Sequence, residues 1–121
     1  VHAISHMIGA ECDTQHGLTN AIVLPVILRF NLPNQDQKIK RMADAMGISE
    51  STEKSFISRV EQILDEIAIP KSLQDIGIPV SCAERIAKKA LLDSAAATNP
   101  RKADVREMQR LIENAITEAR Q

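Results

Sequence analysis

The sequence predicts an all-α protein, folded as a helical bundle of five to six helices joined by short loops. Two observations carry this prediction. Apolar residues recur every three to four positions through most of the chain, and no stretch alternates apolar and polar residues long enough to form a useful strand. Ala, Ile and Leu dominate an apolar content of 44%, a composition that favours packed helices.

The first two helices are predicted on either side of a polar loop at residues 10–15. Residues 1–8 read as the end of a helix that Gly9 stops, because glycine accepts the left-handed conformation found at helix ends. Residues 16–30 are apolar on nearly every side, which is typical of a central, buried helix. Pro25 is expected to bend it. The β-branched residues of this run also leave a strand open, but its length and lack of alternation favour a helix.

Two amphipathic helices are predicted next. The first covers residues 36–46 and ends at Gly47. The second is capped by Ser49 or Ser51 and runs to about Ala68. Its charged face is most simply exposed to solvent.

The last third of the chain is predicted to contain two further helices after a connector at residues 69–80. Ser81 and Glu84 have the spacing of a capping box, in which each side chain bonds the other residue's backbone N–H. The helix that they open is expected to reach about Ala97. A Thr-Asn-Pro-Arg break then precedes a final amphipathic helix over about 103–119.

Composition excludes several classes of partner. The net charge of −1 and the presence of only two aromatic residues, Phe30 and Phe56, argue against binding to nucleic acid or to an acidic membrane. The apolar run at residues 21–28 is too short to span a bilayer. Cys12 and Cys82 are too few for a disulfide framework and no signal peptide is visible, so we expect a cytoplasmic protein.

All three histidines of the chain lie within its first sixteen residues. His2 and His6 are four residues apart and share a helix face, and the break before His16 allows its imidazole to fold back toward them. Imidazole binds zinc, iron, copper or nickel and also carries protons near neutral pH. Two carboxylates, Glu11 and Asp13, lie nearby in sequence. The spacing leaves two alternatives open, a metal or proton-transfer site and three unrelated histidines.

The opening motif resembles the iron-containing, or group III, alcohol dehydrogenase family. The similarity continues to a later motif and runs along essentially the whole chain. The motifs that carry it are His2-x-x-x-His6-x-x-Gly9, His16-Gly17-x-x-Asn20-Ala21, Leu24-Pro25-x-x-Leu28-Arg29-Phe30-Asn31, and Asp93 followed by Thr98-Asn99-Pro100-Arg101.

This resemblance implies a two-domain dehydrogenase, α/β plus all-α, of which residues 1–121 form part of the C-terminal helical domain. The family's N-terminal domain binds NAD or NADP, and its helical domain holds Fe(2+) or Zn(2+) through one Asp and three His. The resemblance implies that His2 and His16 are metal ligands. It places His6 beside the metal, at the nicotinamide end of the cleft, with a role in proton movement.

The activity implied is NAD(P)-linked hydride transfer between a small alcohol and an aldehyde or ketone. The chain opens at Val1-His2 inside a helical pattern, so we expect it to belong to a longer chain. The nucleotide-binding domain and the helix with the first two metal ligands would then lie outside it. We therefore expect the 121 residues alone to be inactive, and the whole enzyme to be a homo-oligomer.

Other residues of the motifs have less distinct roles. Asn20 is expected to brace the start of its helix, and Asp93, Asn99 and Arg101 are interpreted as structural. Residues 95–97, three alanines, leave open a small apolar wall near the cleft or plain helix packing.

A free-standing helical module that binds metal or a partner protein is the alternative function. It would need a complete set of metal ligands from this chain and a closed core. The all-apolar helix at 16–30 needs neighbours on every side, so we expect the isolated chain to expose apolar surface and to associate.

Overall fold

The computed structural model describes residues 1–120, and over that range it is helical with no strand. The fold class is therefore the predicted one, but residues 1–120 form seven α-helices rather than five or six because one predicted helix is divided. They are α1 (His2–Cys12), α2 (His16–Asn31), α3 (Asp36–Ala45), α4 (Glu53–Glu66), α5 (Ala83–Ala90), α6 (Ser94–Ala97) and α7 (Val105–Thr117).

Helix α1 is longer than predicted, because Gly9 does not end it. The helix continues to Cys12, and the residue that turns the chain is Asp13, with a φ of 51° and its N–H donated to the carbonyl of Gly9 at 3.0 Å. Aspartate tolerates this left-handed conformation better than most residues do. The connection to α2 is consequently only three residues long.

Helix α2 is the central helix, as its apolar character predicts, and it contains Pro25. It packs against α1, α4 and α7. Thr19 is fully buried beside apolar residues of the core, and the buried residues of α2 are Thr19, Ile22, Val23, Pro25, Val26 and Ile27. Among residues 1–120 no helix, α2 included, is long and apolar enough to cross a membrane.

Helices α3 and α4 form a second, smaller core with the end of α2, centred on Leu32, Ile39, Phe56 and Ile57. Gly47 has a φ of 70° and follows the end of α3, as predicted. The predicted caps of α4 are wrong, since Thr52 occupies that position. Its Oγ1 accepts the N–H of Ser55 at 3.1 Å.

The predicted capping box at Ser81 and Glu84 is also wrong. The chain enters α5 through a 3-10 turn at Val80–Cys82, and no side chain caps the helix. A capping box occurs instead at α7. There Asp104 Oδ1 accepts the Glu107 N–H at 2.7 Å, and Glu107 Oε1 accepts the Asp104 N–H at 3.3 Å.

The helix predicted to run to Ala97 stops at Ala90 because a second helix start follows at once. The carboxylate of Asp93 accepts the N–H of Ala95 at 2.8 Å and so caps the four-residue helix α6. Helices α5 and α7 pack together most extensively, and α6 lies against α1. This break brings Asp93 to the face of α1 that carries His6.

Candidate metal centre

The structure brings the three histidines together at one end of the α1–α2 pair. His2 and His6 project from α1, and His16 is the first residue of α2. The ring centroid of His16 lies 5.4 Å from those of both His2 and His6, and the His2 and His6 centroids are 5.8 Å apart. The short turn after Cys12 produces this arrangement, because it starts α2 next to the face of α1 that holds the other two rings.

Hydrogen bonds on both sides fix the His16 ring. Its Nδ1 lies 3.1 Å from the Oγ of Ser5, a residue of α1 that is 1% exposed, and its Nε2 lies 3.1 Å from the Nδ2 of Asn20. The Ser5 hydroxyl also reaches the His16 carbonyl at 3.4 Å. Because the Asn20 amide donates, Nε2 of His16 is the acceptor and Nδ1 carries the proton that is donated to Ser5.

Asn20 thus contacts His16, the first residue of its own helix. Its Oδ1 is buried and has no hydrogen-bond partner within residues 1–120. The neutral tautomer of His16 with a lone pair on Nε2 is the form that binds metal. Ligation through Nε2 would require the Asn20 amide to turn away from it.

His6 has a partner that was not predicted to belong to the site. Its Nδ1 lies 2.9 Å from Asp93 Oδ2, and the Asp93 side chain is 11% exposed. The backbone N–H of Ala95 and, next, the hydrogen bond with His6 lower the pKa of the Asp93 carboxyl. In the sequence, Asp93 is an aspartate followed by small residues, a pattern that is typical of a helix start and does not indicate a contact with His6.

His2 is exposed, and within residues 1–120 its ring makes no hydrogen bond, so both nitrogens remain open to a ligand. Nitrogen–metal bonds of about 2.1 Å are compatible with ligand ring centroids about 5 Å apart, close to the separation of His2 and His16. Over residues 1–120, however, no group of three or more His, Cys, Asp or Glu side chains could hold a metal ion. His2 and His16 could therefore supply at most two of the donors that a metal site needs.

The two carboxylates near the histidines in sequence do not join them. Glu11 accepts hydrogen bonds from Lys89 Nζ at 2.6 Å and from Arg85 Nε at 2.7 Å, which ties α1 to α5. Asp13 is exposed at the end of α1. The pKa of Glu11 is lowered chiefly by the Lys89 hydrogen bond and then by the Arg85 hydrogen bond.

The alanines of α6 line a cavity of about 260 Å³. The remaining lining comes from α1, α2, α7 and the adjoining loops, and includes Phe30, Leu91 and Met108. Asn99 and Arg101 also line it and contact residues of α2. Asn99 exchanges hydrogen bonds with Asn31 at 2.8 and 2.9 Å, and Arg101 lies 4.2 Å above the centroid of Phe30.

Comparisons with known proteins agree with this architecture. The family described as "Fe-containing alcohol dehydrogenase family, C-terminal" matches residues 1–116. The chain is 32% identical to the 1,3-propanediol dehydrogenase of Klebsiella pneumoniae, over 96% of this chain and 32% of that protein. It is 30% identical to the lactaldehyde reductase of Escherichia coli (strain K12), over 95% of this chain and 32% of that protein.

Solved structures give the same result. A crystal structure of a 1,3-propanediol oxidoreductase superimposes with a TM-score of 0.88 at 30% identity, covering 95% of this chain and 32% of the other. An alcohol dehydrogenase from Oenococcus oeni gives a TM-score of 0.86 at 29% identity, covering 94% of this chain and 31% of the other.

The fold and these similarities define the class of protein as one that shares the helical domain of iron-type alcohol dehydrogenases. The chain belongs to the Fe-containing alcohol dehydrogenase family and corresponds to its C-terminal helical part. It spans about a third of the length of the curated relatives that it matches.

Proposed function

We propose that this chain is the C-terminal part of a metal-dependent alcohol dehydrogenase that catalyses NAD(P)-linked hydride transfer between a small alcohol and an aldehyde or ketone. The observation that carries the proposal is the convergence of His2, His6 and His16 on one point of a fold shared with that family. Residues 1–121 would form part of the helical domain, with the nucleotide-binding domain and the helix bearing the first two metal ligands outside them.

His2 and His16 are proposed to hold Fe(2+) or Zn(2+). Support comes from the 5.4 Å separation of their rings and from the lone pair on His16 Nε2. When bound, the metal supplies a Lewis acid for the substrate oxygen, and NAD or NADP supplies the hydride acceptor or donor. Since two imidazoles leave the site incomplete, residues 1–121 alone are proposed to be inactive.

His6 is proposed to move the proton of the reaction at the nicotinamide end of the cleft. Its side chain is 43% exposed, so a substrate or water molecule can reach the ring. Its Nε2 makes no hydrogen bond within residues 1–120, whereas Nδ1 is held by Asp93. A ring that is fixed at one nitrogen and open at the other suits general acid–base catalysis.

The partners proposed are a small alcohol or aldehyde, the N-terminal domain and a second copy of the enzyme, without nucleic acid or membrane. A cytoplasmic location is part of the same proposal. Its support is that both cysteines, Cys12 and Cys82, are free.

The test uses the product expressed from the full gene, purified and assayed for metal content and for alcohol-dependent reduction of NAD⁺ and NADP⁺. We expect His2→Ala and His16→Ala to lose most of the metal and the activity with it. His6→Ala is the matched control within the same cluster, and it should keep the metal while kcat falls by about a hundredfold or more.

Two results would overturn this assignment. If His6→Ala loses the metal as readily as His2→Ala, the ligand assignment is wrong. If residues 1–121 expressed alone bind metal tightly and no dehydrogenase activity is found in the full product, a free-standing metal-binding module replaces the dehydrogenase.

A further inference from the structure

Asp93 reaches the histidine cluster from a distant part of the sequence. It lies 87 residues after His6, between α5 and α6, yet its Oδ2 is 2.9 Å from His6 Nδ1. It is the one carboxylate among residues 1–120 that hydrogen-bonds a histidine of the cluster. Two other carboxylates lie near the histidines in sequence. Glu11 is hydrogen-bonded to Arg85 and Lys89, and Asp13 is exposed to solvent.

The Asp93 carboxylate is itself held in place on its other oxygen. Oδ1 accepts the N–H of Ala95 at 2.8 Å, and the backbone N–H of Asp93 donates to the carbonyl of Ala90 at 3.1 Å. Its lowered pKa keeps this carboxyl ionised at neutral pH, and an ionised carboxylate only accepts hydrogen bonds. The proton of the contact therefore resides on His6 Nδ1, which leaves a lone pair on Nε2 of the neutral ring.

The ring plane of His6 is fixed as well. It stacks on His16 with an angle of 16° between the planes and meets the edge of His2 at 72°. Rotating the ring to present Nδ1 elsewhere would break the Asp93 contact and both ring contacts. The orientation and the tautomer of His6 are thus specified together.

We propose that Asp93 is a positioning residue that holds His6 in the Nδ1–H tautomer, so that Nε2 is the atom that exchanges the proton with the substrate. The role given to Nε2 rests on the proposed dehydrogenase function, whereas the tautomer can be measured without it. In alcohol oxidation the proton of the O–H bond would pass to Nε2 of His6, and the electron pair left on oxygen would form the second bond of the carbonyl group. The electron pair of the carbon–hydrogen bond would leave with the hydride that NAD(P)⁺ accepts, and Asp93 would face the resulting imidazolium. An aspartate orients the catalytic histidine of serine proteases in the same way.

The decisive variant is Asp93→Asn. Asparagine is a good helix cap, so its oxygen is expected to keep the Ala95 N–H, which turns the NH₂ group toward His6. A donor at that place requires His6 Nδ1 to accept and moves the ring proton to Nε2. The matched control is Asp104→Asn, since Asp104 also caps a helix through its carboxylate but contacts no histidine.

Both variants are made in the full gene product, and zinc-loaded samples with ¹⁵N-labelled histidine are studied by NMR, with His6→Gln assigning the His6 signals. We expect wild type and Asp104→Asn to show Nδ1–H at His6, and Asp93→Asn to show Nε2–H. We also expect Asp93→Asn to lower kcat by about tenfold or more, with metal content, KM and melting temperature close to wild type.

Unchanged His6 nitrogen signals or an unchanged kcat in Asp93→Asn would overturn the proposal. It would also be overturned if the activity of Asp93→Asn fell only in proportion to a loss of bound metal or of folded protein. Should Asp93→Asn fail to fold, a wild-type His6 that carries its proton on Nε2 is sufficient to overturn it. A wild type without metal or dehydrogenase activity refutes the proposed function instead, and the NMR result still reports on the Asp93–His6 pair.

Discussion

The Oγ of Ser5 lies 3.1 Å from Nδ1 of His16, and this contact joins the buried face of α1 to the first residue of α2. Ser5 is 1% exposed, so bulk water does not compete freely for the contact. A ligand histidine is normally oriented through its second ring nitrogen, and such partners govern how well the first nitrogen binds metal. In the proposed metal site, Ser5 would be that partner for His16.

Ser5→Ala is therefore expected to weaken metal binding by about tenfold to a hundredfold, since His16 loses the acceptor of its Nδ1–H. Competition with a chelator of known affinity measures the change. Ser58→Ala, at a position on α4 away from the histidines, is the control and should leave the affinity unchanged. Equal metal affinities for Ser5→Ala and wild type would show that Ser5 does not orient a ligand.

Sequence patterns located six helices because each of them buries apolar residues, against the main core or, for α3 and the start of α4, against the smaller one. They did not locate the ends equally well. Gly9 and Ser81 have the residue types of a helix stop and a helix cap, but the structure uses Asp13 and a 3-10 turn at those places. Several local conformations can satisfy the unpaired backbone groups at a helix end with similar free energy, and tertiary packing selects among them.

The same limit applies to the site. His2, His6 and His16 are close in sequence, so helical spacing and one turn were enough to predict that they could meet. Asp93 joins them only because α5 ends at Ala90 and α6 packs on α1, a relationship that depends on the tertiary fold. No periodicity in the sequence reports a contact between residues so far apart.

Glu11 should make the stability of the protein dependent on pH in the acidic range. Its pKa is held below the ordinary value of 4.5, first by the Lys89 hydrogen bond and then by that of Arg85. A carboxyl whose folded-state pKa is lowered stabilises the fold fully above its unfolded pKa, and this contribution is lost as the pH falls through the folded value. We therefore expect Glu11→Gln to be less stable than wild type at neutral pH, with the difference shrinking below pH 4.5.

Urea unfolding of both proteins over a descending pH series measures that difference. Glu84→Gln is the control, because the Lys88–Glu84 pair lies within one helix and both side chains are 63% exposed. Its effect should be smaller at every pH, as exposed pairs contribute little. A gap between wild type and Glu11→Gln that does not change with pH would contradict the assignment.

Ile22 is expected to be among the most sensitive core positions. It is 0% exposed on α2, the helix that contacts α1, α4 and α7. Ile22→Ala removes buried methyl and methylene groups and leaves a cavity, so the free energy of unfolding should fall by about 2–5 kcal/mol. Leu92, 87% exposed, provides the matched control, and Leu92→Ala should change stability by less than about 0.5 kcal/mol. Denaturant unfolding distinguishes the two, and similar losses would mean that α2 is not central.

Gly77 and Gly17 are expected to respond with opposite sign to the same substitution. Neither has any atom within 4 Å of the position that a Cβ would occupy, so an added methyl group meets open space at both. Gly77 has a φ of 92°, which an L-residue adopts only with strain, and Gly77→Ala should lower the free energy of unfolding by about 1–2 kcal/mol.

Gly17 lies in the first turn of α2 with helical geometry. There alanine restricts the unfolded chain without straining the folded one, so Gly17→Ala should raise the free energy of unfolding by about 0.5 kcal/mol. Thermal unfolding of the two variants beside wild type measures both effects. Because neither substitution changes a contact, a shift of the same sign in both would show that backbone conformation does not decide stability at these positions.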